Sequence, residues 1–246
     1  MKEIPQEVVR VAQKLAQHGF SAYVVGGCVR DLLLDKEPED WDIATNAAPE
    51  EVQKIFPRTF YENKFFTVTV LQESQDPRLN QIEVTTFRSE FEYEDRRRPL
   101  KVKPAQTIEE DLSRRDFTVN AIAIALTNDQ QPTTHDKEET KVVSRQSSVV
   151  GYAVVDPFGG QQDLKKKLVR AVGDPKERFE EDALRLMRAV RFAATLGFAI
   201  EKKTLEALQS RATLLKEISK ERIRDEFRKI LMADKAAEGM ERLRET

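Results

Sequence analysis

A single cysteine, Cys28, stands in the 246 residues, so no disulfide can form within the chain and a zinc site built on paired cysteines is excluded. There are only two histidines: His18 sits beside Gly19 at the end of a helical pattern, and His135 lies in a polar stretch, so neither is assigned a ligand role. Neither sign of charge prevails, with 41 Lys and Arg against 43 Asp and Glu for a net charge of -2. Any grip on nucleic acid must therefore come from local basic patches. No apolar run approaches membrane-spanning length, and Met1 to Arg10 lacks the basic start and apolar core of a secretory signal. The expected compartment is the cytoplasm, with no membrane partner. The hydrophobic content of 39% argues against wholesale disorder, and the length admits a substantial core in one or two domains.

What is present divides into an α/β front and a helical back. Val8, Val9, Ala12, Leu15 and Ala16 recur at helical spacing and stop at His18-Gly19. Ala22 to Val25 predicts a short buried strand, Pro49 to Phe56 a short helix, and Phe65 to Leu71 and Gln81 to Phe87 two strands joined by the polar segment 73–80. The expected fold class is α+β: a small, mixed, mostly antiparallel sheet backed by helices, followed by an all-helical region. Arg88 to Pro104 reads as an exposed loop, and 127–150 as a polar insertion with a disordered tip. From Pro175 the apolar positions Phe179, Leu184, Met187, Val190 and Ala194 follow a helical period to Gly197, and Leu205, Leu208, Ile223, Phe227, Ile230 and Leu231 continue in shorter helices. The domain change is placed near Gly173, giving a head over 1–173 and a helical region over 174–246.

Several residue patterns carry chemistry. Gly26-Gly27 directly after a strand lets backbone N–H groups approach a phosphate with no Cβ in the way, and Arg30 adds a fixed charge. If Asp40 to Thr45 is a strand, Asp40 and Asp42 leave the same face and can share hard cations, while Trp41 points to the other face. Glu83 is either a third carboxylate on the neighbouring strand or a surface acid. Arg114-Arg115-Asp116 is expected to open a short helix that brings Asn120 onto the face of Asp116. Arg115 is then placed for triphosphate oxygens, and Asp116 with Asn120 for ribose hydroxyls; Asp116 as a helix cap is the other role open to it. A helix from Glu181 to Phe192 would align Asp182, Arg185, Arg188 and Arg191 in a polar strip, which in an arbitrary helix is a salt-bridged solvated face. Asp156-Pro157-Phe158-Gly159-Gly160 is a turn with a structural role. Lys165 to Lys167 and Lys202-Lys203 are either RNA contacts or solvated lysines.

Val25 to Asp31, Asp40-Trp41-Asp42, Ile82 to Arg88, Arg114 to Ala121, Asp156 to Gly160 and Glu181 to Phe192 together resemble the class II tRNA nucleotidyltransferase and bacterial poly(A) polymerase family, a branch of the polymerase β-like nucleotidyltransferases. The resemblance implies transfer of nucleotides to an RNA 3′ end without a nucleic-acid template, with Asp40 and Asp42 as catalytic ligands of two Mg²⁺ ions and CTP and ATP as substrates. It implies nucleotide binding by Gly26, Gly27, Arg30, Arg115, Asp116, Asn120, Asp182, Arg185, Arg188 and Arg191. Within that set Asp182 and Arg185 read the base, Asp116 and Asn120 check the ribose, and Arg188 and Arg191 lie toward the phosphates. A tRNA, extended by C and A, is the implied partner; A-only addition or poly(A) tailing is the alternative product, and a noncatalytic nucleotide- or RNA-binding module the alternative of another class. In the family the segment matching Arg88, Glu90, Tyr93, Asp95, Arg97, Arg98 and Pro99 adjusts the nucleotide site. Phe91 stands where that pattern has glycine, and Phe66 likewise replaces the glycine of the family's Gly-Thr-Val-Thr segment. Family members continue into helical body and tail regions past the segment resembling Ile223 to Leu231. The 246 residues are accordingly expected to bind nucleotide, with weak or incomplete tRNA binding.

Overall fold

The computed structural model describes residues 2–62, 66–94, 98–128 and 150–245. By internal packing the chain forms two units, the first from 1–89, 104–112 and 122–157, the second from 90–103, 113–121 and 158–246.

The first unit opens with α1 (Gln6–Gln17), a helix too short to be stable alone in water. It holds because Val8, Val9, Val11, Ala12 and Leu15 are buried, each larger side chain contributing about 2 kcal/mol. The helix ends at His18, whose Nδ1 lies 2.8 Å from the Lys14 carbonyl, so this histidine belongs to a helix end. Then come β1 (Ala22–Val25), α2 (Gly27–Leu33), β2 (Asp42–Thr45) and α3 (Pro49–Ile55), with Pro49 in the first turn and Glu51 accepting the Ala48 amide at 2.7 Å. Strands β3 (Thr59–Glu62), β4 (Thr67–Leu71) and β5 (Gln81–Thr86) follow.

The segment expected as a loop, Arg88 to Pro104, contains two strands instead, β6 (Arg88–Glu94) and β7 (Arg98–Pro104), which pair as a separate two-stranded sheet. Alternation such as Val102 between Lys101 and Lys103 is easily masked by a high charge density, which is why composition alone suggested a loop. The positions Asp95, Arg96 and Arg97 of the family pattern lie outside the described residues, as does 129–149 of the expected insertion. α4 (Ile108–Ser113) leads on to β8 (Ala123–Asn128) and β9 (Val150–Val155), so the ends of the expected insertion are strand residues.

The main sheet has seven strands in the order β3-β4-β5-β2-β1-β8-β9. Within this sheet β2 and β5 pair in parallel and the other pairs are antiparallel, as the mixed pattern predicted. In β5, Ile82, Val84 and Thr86 are buried while Glu83 and Thr85 face outward, the alternation of a half-buried strand. Phe66, one of the two departures from the family pattern, enters β4 at φ +55°, a backbone region that glycine adopts freely and other residues rarely. Its carbonyl accepts the Thr86 amide at 3.0 Å, so sheet pairing holds the backbone there.

In the second unit a 3-10 turn (Thr118–Asn120) precedes α5 (Gly160–Lys166), β10 (Leu168–Val169), α6 (Pro175–Glu181), α7 (Leu184–Leu196), β11 (Ala199–Ile200), α8 (Lys202–Arg211), α9 (Lys220–Leu231) and α10 (Ala236–Glu245). The domain change proposed near Gly173 does not coincide with the packing. β10 pairs in parallel with β11, and Phe117 bridges to Ala171, so Ser113–Ala121 and everything from Phe158 join the helices. α10 approaches closely at Gly239, where an added Cβ would stand 2.9 Å from Ile230 Cγ2 and 3.0 Å from Ala194 Cβ. The expected apolar stripe of α9 is different in detail: Glu226 and Ile230 are buried, while Leu231 is 50% exposed.

Candidate active site

In the first unit, antiparallel pairing of Val24 with Ile43 and Tyr23 with Ala44 sets the C-terminal end of β1 beside the N-terminal end of β2. The turn leaving β1 is Gly26-Gly27 and the residues entering β2 are Asp40, Trp41 and Asp42, so the two sequence motifs meet at one end of the sheet. Gly26 has φ +81° and ψ -136°, a conformation that needs glycine, and it starts α2 immediately. β2 begins at Asp42 rather than Asp40, yet the Trp41 carbonyl already accepts the Glu83 amide at 3.1 Å. Trp41 is buried between an exposed Asp40 and a half-buried Asp42, which preserves the alternation expected of the acid pair.

The electrostatics register this crowding of carboxylates. Burial and then the charges of Asp42 and Asp40 push the Cys28 thiol up to about 12, so Cys28 is an inert packing residue whose Sγ donates to the Val25 carbonyl at 3.1 Å. Glu83 is the register partner of Asp42 across β2 and β5, and its carboxyl is raised, first by partial desolvation and then by Asp40. An end of a sheet where the charge of Asp40 raises the proton affinity of Glu83 is a place a hard divalent cation would relieve. Oxygen donors from two carboxylates fit Mg²⁺, which keeps waters and needs few protein ligands. Among the described residues no group of three or more His, Cys, Asp or Glu gathers as a metal cluster. Arg30 is engaged by Asp31 through two bonds of 2.9 Å, Nε to Oδ1 and Nη2 to Oδ2.

In the second unit Asp116 and Asn120 do meet, though through the 3-10 turn and not a helix opening at Arg114. Asp116 Oδ1 accepts from the Phe117 amide at 2.8 Å and from Asn120 Nδ2 at 3.1 Å, while Oδ2 accepts from Arg188 Nε and Nη2 at 2.7 and 2.6 Å. Burial opposes the charge, but Arg188 and the Asn120 bond outweigh it and hold the carboxyl at about 2. Arg115 Nη1 donates to the Asn120 carbonyl at 3.3 Å. Thr118, between Asp116 and Asn120, is pinned by its hydroxyl to buried Asp163 at 2.5 Å, and Arg170 joins Asp163 to the Phe158 carbonyl of the Pro-Phe-Gly-Gly turn.

The helix expected from Glu181 to Phe192 is broken. α6 ends at Glu181, Asp182 is extended with φ -143° and ψ 104°, and α7 starts at Leu184. The Asp182 carboxylate itself makes the break by accepting the Leu184 amide through Oδ1 at 3.0 Å, a local bond that competes with helix continuation. Arg185, only 8% exposed, donates to Glu181 at 2.5 Å and to the carbonyls of Arg178 and Arg114. Arg188 and Arg191, expected toward phosphates, are held by carboxylates, Arg188 by Asp116 and Arg191 by Glu226 at 2.6 Å, with the Arg191 guanidinium 4.0 Å from the Phe192 ring centre. Sequence reasoning missed Glu226 and also Arg222, whose Nη2 donates to Asp182 Oδ2 at 2.9 Å. The signal available was a pair of opposite charges one helical turn apart on α9, which is indistinguishable from an ordinary surface pair until the helix is docked.

Fold and clusters together define an α+β nucleotidyltransferase-type head followed by a helical region. The model of the poly A polymerase head domain matches residues 22–170, and the chain belongs to that family. A second model, described as a probable RNA and SrmB-binding site of polymerase A, matches 197–246. The chain is 44% identical over 247 residues to the CCA-adding enzyme of Geobacillus sp. (strain WCH70), covering 100% of this chain and 54% of that protein. The CCA-adding enzyme of Lactobacillus helveticus (strain DPC 4571) is 46% identical over 221 residues, 89% of this chain and 48% of that one. The crystal structure of the Bacillus stearothermophilus CCA-adding enzyme in complex with CTP is similar at a TM-score of 0.79 and 40% identity, over 100% of this chain and 53% of the other. The Thermotoga maritima CCA-adding enzyme complexed with tRNA is similar at 0.70 and 25%, over 98% and 50%. The chain spans about half the length of the curated relatives it matches.

Proposed function

We propose that this chain is the nucleotide-transferring and nucleotide-selecting part of an RNA 3′-terminal nucleotidyltransferase that adds C and A to the CCA end of tRNA without a nucleic-acid template. The observation that carries the reading is the β1–β2 pairing, which sets the Gly26-Gly27 turn beside Asp40 and Asp42. Relatives named CCA-adding enzymes, one of them in complex with CTP, support the substrate assignment. Asp40 and Asp42 would hold two Mg²⁺ ions, which when bound lower the pKa of the attacking 3′-hydroxyl and stabilise the departing pyrophosphate. The turn at Gly26-Gly27 offers backbone N–H donors to triphosphate oxygens with no side chain intervening.

Asp116 and Asn120 are assigned to the ribose. Arg188 keeps Asp116 ionised as an acceptor for a hydroxyl proton, and the Asn120 amide stands beside it as the donor type. Asp182 accepts the exocyclic amine of cytosine or adenine and Arg185 donates to the neighbouring ring acceptor; uracil and guanine present a carbonyl where the amine is required. The exposed Lys202 and Lys203 fall within the segment matched by the RNA-binding model, which supports their contacting RNA phosphates. The head and helical regions are proposed as 1–173 and 174–246 in function. No helix among the described residues is long and apolar enough to cross a membrane, and with one buried cysteine we assign the cytoplasm.

The test is extension of labelled tRNA ending just before CCA, with Mg²⁺ and CTP, ATP or both. Addition of C and A that is lost in Asp40→Ala with Asp42→Ala is the expected result. A-only products or long A tails would assign the same chemistry to another product, and absence of metal-dependent extension would overturn catalysis in favour of a noncatalytic nucleotide-binding module.

A further inference from the structure

Asp182 lies in an extended residue between two helices, so no helical geometry orients its carboxylate. Two donors do. The Leu184 amide takes Oδ1 at 3.0 Å, and Arg222, from α9 and 40 residues further along the chain, takes Oδ2 at 2.9 Å. An ionised carboxylate has about four lone-pair sites, so acceptor capacity remains for a base amine while both oxygens are fixed in direction.

We propose that Arg222 is a positioning residue that sets base selection by holding Asp182 as an oriented acceptor; this rests on the reading of Asp182 as the base-reading group. A fixed acceptor rejects the carbonyl of uracil or guanine, because two lone pairs would face each other with no proton between them. A carboxylate held by the Leu184 amide alone can turn away from that carbonyl and tolerate it. The loss therefore falls on discrimination more than on overall binding.

The Arg222 side chain is 36% exposed and that of Asp182 21%, so the pair is partly solvated. Pairs in that setting add little to folding, which argues that removal of Arg222 leaves the fold in place. Arg222 is also distinct in its partner from the donors to Asp116, which are Arg188, Asn120 and the Phe117 amide. Base and sugar selection should consequently separate in an Arg222 variant.

The test measures equilibrium binding of CTP, UTP, ATP, GTP and dCTP with Mg²⁺ to the wild-type chain, Arg222→Gln and Arg222→Lys, with thermal melting to verify folding. Wild type should favour CTP over UTP and ATP over GTP. Arg222→Gln should narrow the CTP-to-UTP ratio of Kd by about tenfold, the worth of one charged hydrogen bond, with the CTP-to-dCTP ratio unchanged. Arg222→Lys should recover most of the loss. An unchanged CTP-to-UTP ratio in folded Arg222→Gln, or equal loss of base and sugar preference, would overturn the role of Arg222 alone. Equal binding of all four ribonucleotides by wild type would overturn the base-reading assignment of Asp182, and this role with it.

Discussion

Asp116 is a buried carboxylate whose charge survives only because Arg188 and Asn120 surround it. Its folded value of about 2 is below its ordinary 3.8, so the charged form is favoured in the fold. The resulting stability is fully present above the unfolded value and drains away as the pH falls from about 4 towards 2, amounting to on the order of 2 kcal/mol. Urea unfolding of wild type and Asp116→Asn across this range should show a stability difference that is constant at neutral pH and shrinks below pH 4; a difference independent of pH would show that the Arg188 pair is not the source. At this scale the positive-φ turn at Gly26 and the alternation of Asp40, Trp41 and Asp42 were legible in the sequence, because each follows from residue type and a short spacing. The partners Arg188 of Asp116, Arg222 of Asp182 and Glu226 of Arg191 were not, since each contact joins residues tens of positions apart.

Among the elements, two backbone positions carry measurable consequences. Phe66 adopts φ +55° where the family pattern has glycine. Phe66→Gly and Phe66→Ala both remove the ring, but only glycine relieves the left-handed backbone, so the glycine variant should be the more stable of the two by about 1 kcal/mol. Equal urea midpoints would show that the strain is absent. At Gly239 the signs reverse. Alanine is the better helix former by about 1 kcal/mol, yet its Cβ would press on Ile230 and Ala194, both packed in the core. Overpacking of a rigid contact costs about 1–3 kcal/mol, so Gly239→Ala should lower the thermal midpoint, and a raised midpoint would show that α10 can shift. The elements themselves were readable wherever apolar residues recurred with one period, as in α1 and β5. They were misread at Arg88 to Pro104, where charge concealed two strands, and at Asp182, where a side chain that bonds the backbone two residues on interrupts an otherwise continuous helical pattern.

For the molecule as a whole, a net charge of -2 means that the RNA binding proposed above would rest on local lysines and arginines such as Lys202 and Lys203. If these exposed lysines contact RNA phosphates as proposed, Lys202→Glu with Lys203→Glu should hold tRNA more weakly than the unchanged chain. Filter binding at low and moderate salt should also give a shallower salt dependence, because fewer phosphates are neutralised; equal affinity and equal slope would overturn this expectation.

The sequence by itself determined the family, the α+β class and the acid pair after a glycine turn, because these depend on local spacing and on residue types that few other roles require. Only the tertiary structure decided that β1 and β2 run antiparallel so that turn and acids share one end of the sheet, and that α9 supplies Arg222 and Glu226. Strand pairing and helix docking join residues far apart in the chain, and the physical terms that select them, burial and charge pairing across that distance, leave no period or motif along it.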